Sequence, residues 1–232
     1  MKKNVVFMIL FLMTSTTMLS VGQSDVKETP EYQRQINVYN LAKRYNDVTV
    51  IRNSIYQIIA INPDEKDWLD TLALFYFEYE QFGAAALVTN DGIMIDGDNL
   101  LALEVNAISM ENIGLKENAV TRYQSLYIKS PSLSILYKIA FLNFELKRFT
   151  ECETVINQVM DDTEAQIEKI NFEGDNSEEI EVTMFTAVKN LLGLLKQEQG
   201  NKEEAIKIFE EILYEHPNFL MVKENLAALK GN

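Results

Sequence analysis

His216 and Cys152 are each the single residue of their kind in this 232-residue chain. A lone imidazole beside Pro217, with no second histidine and no placed nucleophile, reads as a polar helix terminus rather than half of a triad. A lone thiol has no disulfide partner in the chain and cannot build an all-cysteine metal site, so it reads as a small buried hydrophobe. The acidic run Asp91-Gly92-Ile93-Met94-Ile95-Asp96-Gly97-Asp98 has the composition of a calcium loop. It lacks oxygen ligands at alternate positions and the closing glutamate, and reads better as a frayed helix end and turn. The sequence holds no glycine-rich phosphate loop, and the methionines beyond residue 22 fall on helical stripes, where they fill cores. No set of residues meets the requirements of nucleophilic, acid–base or metal-assisted catalysis. The expectation is a protein that is not an enzyme, needs no metal or cofactor, and works through a binding surface.

The elements that would carry such a surface follow from composition. Hydrophobic residues make up 47% and charged residues 24% of the chain, the balance of a globular protein. Four prolines and nine glycines are few, which favours long uninterrupted helices. Thirty-five acidic against 21 basic side chains leave a net charge of -14, a field that repels nucleic-acid phosphates and argues against a nucleic-acid partner.

Residues 1–22 read as an export signal and are set apart from the fold. Lys2 and Lys3 give the positive start, Val5–Met13 the apolar run, and Ser20-Val21-Gly22 the small side chains a signal peptidase accommodates, so cleavage is expected before Gln23. The run is shorter than the ~20 residues that span a bilayer, so no stable membrane insertion is expected after cleavage. The absence of a cysteine near the cleavage site argues against a lipid anchor. Residues 23–30 read as a flexible start, and export implies a periplasmic location, with an outer-membrane-associated or secreted one as alternatives.

The rest is governed by a repeat. Leu72-Ala73, Asn106-Ala107, Ile139-Ala140 and Leu192-Gly193 each lie midway along a helical pattern and end on a small residue. Twelve residues later come Ala85, Ala119, Cys152 and Ala205, small again. Counted from Tyr39, these positions recur at steps of 34, 34, 33 and 53. Two antiparallel helices joined by a tight turn approach closely only where both carry small side chains at the crossing. Asn46-Asp47, Gly114 and Gly200 mark turns that need capping or left-handed geometry, and Pro63, Gly97, Pro131 and Pro217 close the second helices. Val48, Ile51, Ile55, Ile58 and Ile59 form an amphipathic stripe. Ala205, Ile206, Phe209, Ile212 and Leu213 form another, opposite a solvated face of Glu203, Glu204, Lys207, Glu210 and Glu211.

This pattern resembles the tetratricopeptide repeat family. The last unit, Thr186 to Phe219, carries Leu192, Gly193, Gly200, Ala205, Phe209 and Pro217 at the repeat's signature places. Tyr39 stands where a small residue is usual, and the fourth unit lacks its closing proline. The resemblance covers Glu31 to Asn232 and implies an all-α, right-handed α-solenoid of about five helix-turn-helix units. They fall at about 32–65, 66–99, 100–132, 133–164 and 186–219, with a capping helix over 220–230.

The 161–182 insertion carries nine acidic side chains and one base, Lys169. A disordered acidic linker is one reading. Alternation of Ile170 and Phe172, then Ile180, Val182 and Met184, around the turn material Glu173–Ser177 favours a β-hairpin, which needs an apolar surface beneath it.

The resemblance further implies that the first helix of each unit lines a concave groove. It places there Asn40, Lys43 and Arg44 from unit one and Asp70, Leu74, Phe77 and Glu78 from unit two. Unit three adds Glu104, Ile108 and Glu111, unit four Tyr137, Phe141, Phe144 and Glu145, and unit five Asn190, Leu194 and Gln197. Phe77, Tyr137, Phe141 and Phe144 are either an exposed apolar interaction site or rings covered by the insertion or by the N-terminal segment. An open groove would suit an extended or helical peptide with apolar anchors and some positive charge. Some members grip a C-terminal carboxylate with paired lysines and asparagines; Asp70 and Leu74 break that row, so the function is not carried over. The resulting expectation is an envelope scaffold or adaptor that binds a protein or peptide. A self-associating structural component, using Leu220, Met221, Leu226 and Leu229 to form a homo-oligomer, is the alternative.

Overall fold

The computed structural model describes residues 26–63, 65–175 and 178–231. The expected export signal and its cleavage point lie outside the described residues. Within them, five helical hairpins follow one another: α1 (Pro30–Arg44) with α2 (Val48–Ile61), α3 (Lys66–Glu78) with α4 (Phe82–Ile95), α5 (Leu100–Asn112) with α6 (Lys116–Lys129), α7 (Leu133–Glu145) with α8 (Phe149–Met160), and α9 (Met184–Glu198) with α10 (Lys202–Glu215). A last helix, α11 (Leu220–Lys230), packs on α10. The architecture is the expected all-α solenoid, each hairpin packing on the next.

Each unit turns in the same way. Asn46, Glu80, Gly114, Lys147 and Gly200 all have positive φ, between 54° and 83°. The residue after each donates its N–H to a carbonyl five positions back: Asp47 to Ala42, Gln81 to Tyr76, Leu115 to Met110, Arg148 to Asn143 and Asn201 to Lys196, at 2.8–2.9 Å. This closing bond satisfies carbonyls that a helix end would otherwise leave free. Glu80 and Lys147 adopt the left-handed conformation despite their Cβ atoms, which is why glycine alone was an incomplete marker of these turns.

Small residues sit at the crossings as the repeat requires. Ala73, Ala85, Ala107, Ala119, Ala140, Cys152 and Ala205 are fully buried. Gly193 shows the tightest case: a Cβ there would lie 2.4 Å from the Phe209 ring. Phe209 is itself fully buried, so the glycine leaves room for that ring where α9 and α10 cross. Burial pushes the Cys152 thiol up to about 12, with Glu153 adding to it, so the sulfur stays an unreactive core atom.

The insertion is a 3-10 turn, Thr163–Gln166, followed by the antiparallel hairpin β1 (Lys169–Glu173) and β2 (Glu179–Thr183). Ile170 opposes Val182 and Phe172 opposes Ile180 on the face turned to the core, while Asn171 opposes Glu181 and Glu173 opposes Glu179 outside. Met184, expected to continue the strand, instead opens α9, because the Thr183 hydroxyl caps the Thr186 N–H at 3.1 Å. The supporting surface is α9 together with the α10–α11 junction. Phe172 meets Phe219 with ring centroids 5.0 Å apart, and Lys223 pairs with Asp175 at 2.5 Å. Gly174 bridges to Phe219, and a Cβ at Gly174 would lie 2.5 Å from the Ile180 side chain.

Candidate interaction surface

The first helices α1, α3, α5, α7 and α9 form one layer, and the joints between them are of two kinds. α3 packs on α5 and α7 packs on α9, whereas α1 with α3 and α5 with α7 make few backbone approaches. In both open joints, long side chains span the gap. Tyr39 meets Trp68 edge-to-face at 5.1 Å, and the Trp68 indole donates to the Tyr32 hydroxyl at 3.0 Å. Between α5 and α7, Lys138 donates to Glu111 at 3.0 Å. Bulky partners of this kind hold helix axes apart where alanines would let them close.

Each open joint holds a cavity. The larger, about 700 Å³, has Leu100, Glu104 and Ile108 of α5 on one wall, Ile135 and Lys138 of α7 on the other, and Tyr123 and Leu126 of α6 as its floor. The smaller, about 340 Å³, has Tyr39 and Lys43 of α1 facing Thr71, Leu74 and Glu78 of α3 above Ile51 and Ile55 of α2. At the larger cavity Glu111 is held by Lys138 and by the Tyr123 hydroxyl, which donates to it at 2.9 Å. Burial, then the Glu111 charge, raises the Tyr123 phenol, so it stays a donor. The insertion reaches this end of the layer, since Ser134 on the cavity wall donates to Glu168 at 2.9 Å.

Among the expected groove residues, Glu78, Glu104, Ile108 and Glu111 line these cavities with Lys43 and Leu74. Asn40 and Arg44 are exposed on α1 but line neither cavity, and Lys43 lies over the Tyr39 ring at 5.5 Å. Asp70 does not face the groove freely. It accepts two hydrogen bonds from Asn99, at 2.9 and 3.0 Å, and burial raises its carboxyl. Phe77 packs edge-to-face on Phe82 at 5.6 Å, and Glu145 pairs with Lys116 at 2.8 Å.

The aromatic row of unit four is half-buried. Tyr137, Phe141 and Phe144 pack into one cluster with Ala187, Val188, Leu191 and Leu195 of α9 and with Ile170 and Phe172 of the hairpin. Burial pushes the Tyr137 phenol up to about 12. Asn190 corrects the groove assignment outright. It is 2% exposed beneath α11, where its amide meets the Met221 sulfur at 3.5 Å. The capping helix occupies the place that a sixth unit's first helix would take and so covers that position. Leu194 is half-buried among hairpin and α9–α10 side chains, and the Gln197 carbonyl oxygen is buried. The four leucine and methionine positions expected to make a self-association face do not lie open together. Leu226 and Leu229 pack on the α10 cluster, Leu220 is half-buried, and Met221 is exposed.

Sequence reasoning did not find the polar joint behind this layer. Buried Asn106 donates to the Ala86 carbonyl at 2.9 Å and to Thr89 at 2.8 Å, and accepts from Arg122 at 3.0 Å. Arg122 also reaches Asn90 at 3.0 Å, tying α4, α5 and α6 together. Asn106 sits in the repeat's pair Asn106-Ala107, where the other units carry Leu72, Ile139 and Leu192, and that exception was the available signal. His216 caps α10, its N–H bonded to Ile212 and its carbonyl to Phe219. Asp96 closes α4 and pairs with Lys66 at 2.6 Å, and Lys66 holds its carboxyl below the usual range. Among the described residues no three potential metal ligands converge, and no helix is long and apolar enough to cross a membrane.

The class defined by these observations is an α-solenoid of stacked helical hairpins with a hairpin insertion and a capping helix. Residues 191–218 match the tetratricopeptide repeat family, and the chain as a whole has the fold of solved tetratricopeptide repeat proteins. A tetratricopeptide repeat protein from Parabacteroides merdae superposes with a TM-score of 0.64 at 18% identity, covering 87% of this chain and 73% of that one. The protein MamA superposes at 0.59 and 12% identity, covering 79% and 91%. YrrB, described as a tetratricopeptide repeat protein with an unusual peptide-binding site, superposes at 0.53 and 10%, covering 76% and 82%. Identities this low speak for the fold alone. No curated protein sequence matches the chain.

Proposed function

We propose that the chain is a non-enzymatic scaffold that binds a protein or peptide partner through the concave layer of first helices. The observation that carries this reading is the pair of cavities in the open joints, each combining apolar walls with carboxylates at the rim. The remainder of the molecule is spent on packing. The small crossing residues, the Asn106 joint and the docked hairpin all face inward or towards a neighbouring unit. The peptide-binding site named for YrrB supports the same use of this fold. The sequence of residues 1–22 supports export to the bacterial envelope, which would put the partner in the periplasm or at the cell surface.

The test is co-purification of the intact chain from cells, comparing the natural sequence with Ile108→Ser and Glu104→Lys. Glu104 is exposed and Ile108 half-buried at the cavity wall, so both variants are expected to fold, with circular dichroism as the check. Loss of the same co-purified protein in both variants is the expected result. Retention by both, with the fold intact, removes the concave layer as the site.

A further inference from the structure

The two cavities share one relation to the repeat. Lys43 and Glu111 stand at equivalent places in units one and three, and so do Ile55 and Tyr123 on the helices beneath. Between the two open joints lies one closed joint, α3 on α5. The groove is therefore not a uniform trough: it has two pits separated by two helix spacings. Neighbouring packed helices are roughly 8–10 Å apart and the open joints are no narrower, so the pits lie at least about 18 Å from one another. An extended chain advances about 3.3 Å per residue and covers that distance in about five or six residues.

Both rims carry carboxylates, and the smaller also carries Lys43, which lies over the Tyr39 ring. Glu78 at the smaller pit and Glu104 at the larger are exposed and form no ion pair among the described residues. Glu111 is already neutralised by Lys138. A ligand side chain that fills either pit therefore brings its neighbour against an unpaired carboxylate. Resting on the scaffold reading above, we propose that the groove selects an extended peptide with two anchors. Each anchor is an apolar side chain next to a lysine or arginine, and the two are separated by about five or six residues. The apolar group fills the pit and the cation meets Glu78 or Glu104. A chain with a net charge of -14 favours such a basic partner at long range as well. Two weak anchors on one chain reinforce one another because the second binds at high effective concentration.

The experiment is selection of a random displayed-peptide library, with a variable stretch of about twelve residues, on the intact chain. Selections on Glu78→Lys, Glu104→Lys and Ile108→Ser run in parallel. The expected result is enrichment of peptides with two apolar–basic pairs at the stated spacing. Their capture should fall about fivefold in each charge reversal and about tenfold in Ile108→Ser. Enriched peptides with a single pair, sensitive to substitutions at one pit only, overturn the two-anchor inference and leave the scaffold reading standing. Enriched peptides insensitive to all three substitutions overturn both. A library that enriches nothing overturns the two-anchor inference, and co-purification in cells then judges the scaffold reading separately.

Discussion

The joint between α5 and α7 and the joint between α7 and α9 share a helix and a repeat, yet one holds a cavity and the other a core. At the second, Ala187 and Val188 of α9 face the Tyr137, Phe141 and Phe144 rings, and the hairpin adds Ile170 and Phe172 from the side. At the first, the Lys138–Glu111 pair spans the gap and no inserted element fills it. The repeat sets where helices cross, and the side chains on the joint decide whether the crossing closes. A 19-residue departure from the repeat step thus acts as packing material for one joint. Without such material, the neighbouring joint remains available for a ligand.

The largest effect that separates the two joints is expected from truncation on either side of α7. Phe141→Ala should cost about 3 kcal/mol, as loss of a packed ring does, while Ile108→Ala at the cavity wall should cost about 1 kcal/mol because solvent already reaches it. Urea unfolding of the two variants measures the difference, and equal costs would erase the distinction between open and closed joints. Next in size is Gly193→Ala, which drives a methyl group into the Phe209 ring and should cost about 1–3 kcal/mol. Combining it with Phe209→Leu should cost less than the sum of the single changes, which a double-mutant cycle reads directly.

The turns offer a finer comparison. Gly114 and Lys147 occupy the same left-handed position in successive units. Gly114→Ala should lose about 1 kcal/mol, whereas Lys147→Gly should gain a few tenths, since relief of the Cβ strain exceeds the added entropy of the unfolded chain. Thermal melts of the pair check both signs. The smallest effect is expected at the closed α3–α5 joint. Burial raises the Asp70 carboxyl above its unfolded value near 3.8. The native state therefore holds that proton more tightly, and stability falls as pH rises through the interval above 3.8. Asp70→Asn removes this loss, so its stability relative to the natural chain should improve between pH 3.5 and 7. A constant difference across that range would place Asp70 in water.

The paired helices, the capping helix and the hairpin were legible, because each rests on a local signal: small residues at a fixed step, proline or glycine closure, and alternation around a turn. The left-handed Glu80 and Lys147 were not, since the turn forces their conformation and the residue type does not announce it. The site was legible in part. Counting along the first helices found Leu74, Glu78, Glu104 and Ile108 at the cavities. The same count misplaced Asn190, because what covers a position depends on the next element, here α11, and not on the helix that bears it. The aromatic row was left open between exposure and cover by the insertion, and the structure favours cover. Exposure of Phe141 and Phe144 is set by α9 together with the insertion, and the repeat register does not describe the insertion.

The concave layer is the proposed binding face, and two single positions test it. A photocrosslinking amino acid at position 108 reports on the open α5–α7 joint. The same residue at position 94, where Met94 is 85% exposed on a second helix, reports on the other side of the hairpin. Installed one at a time in the full chain and irradiated in cells, position 108 should capture a partner and position 94 should not. Capture at 94 with none at 108 would contradict the account.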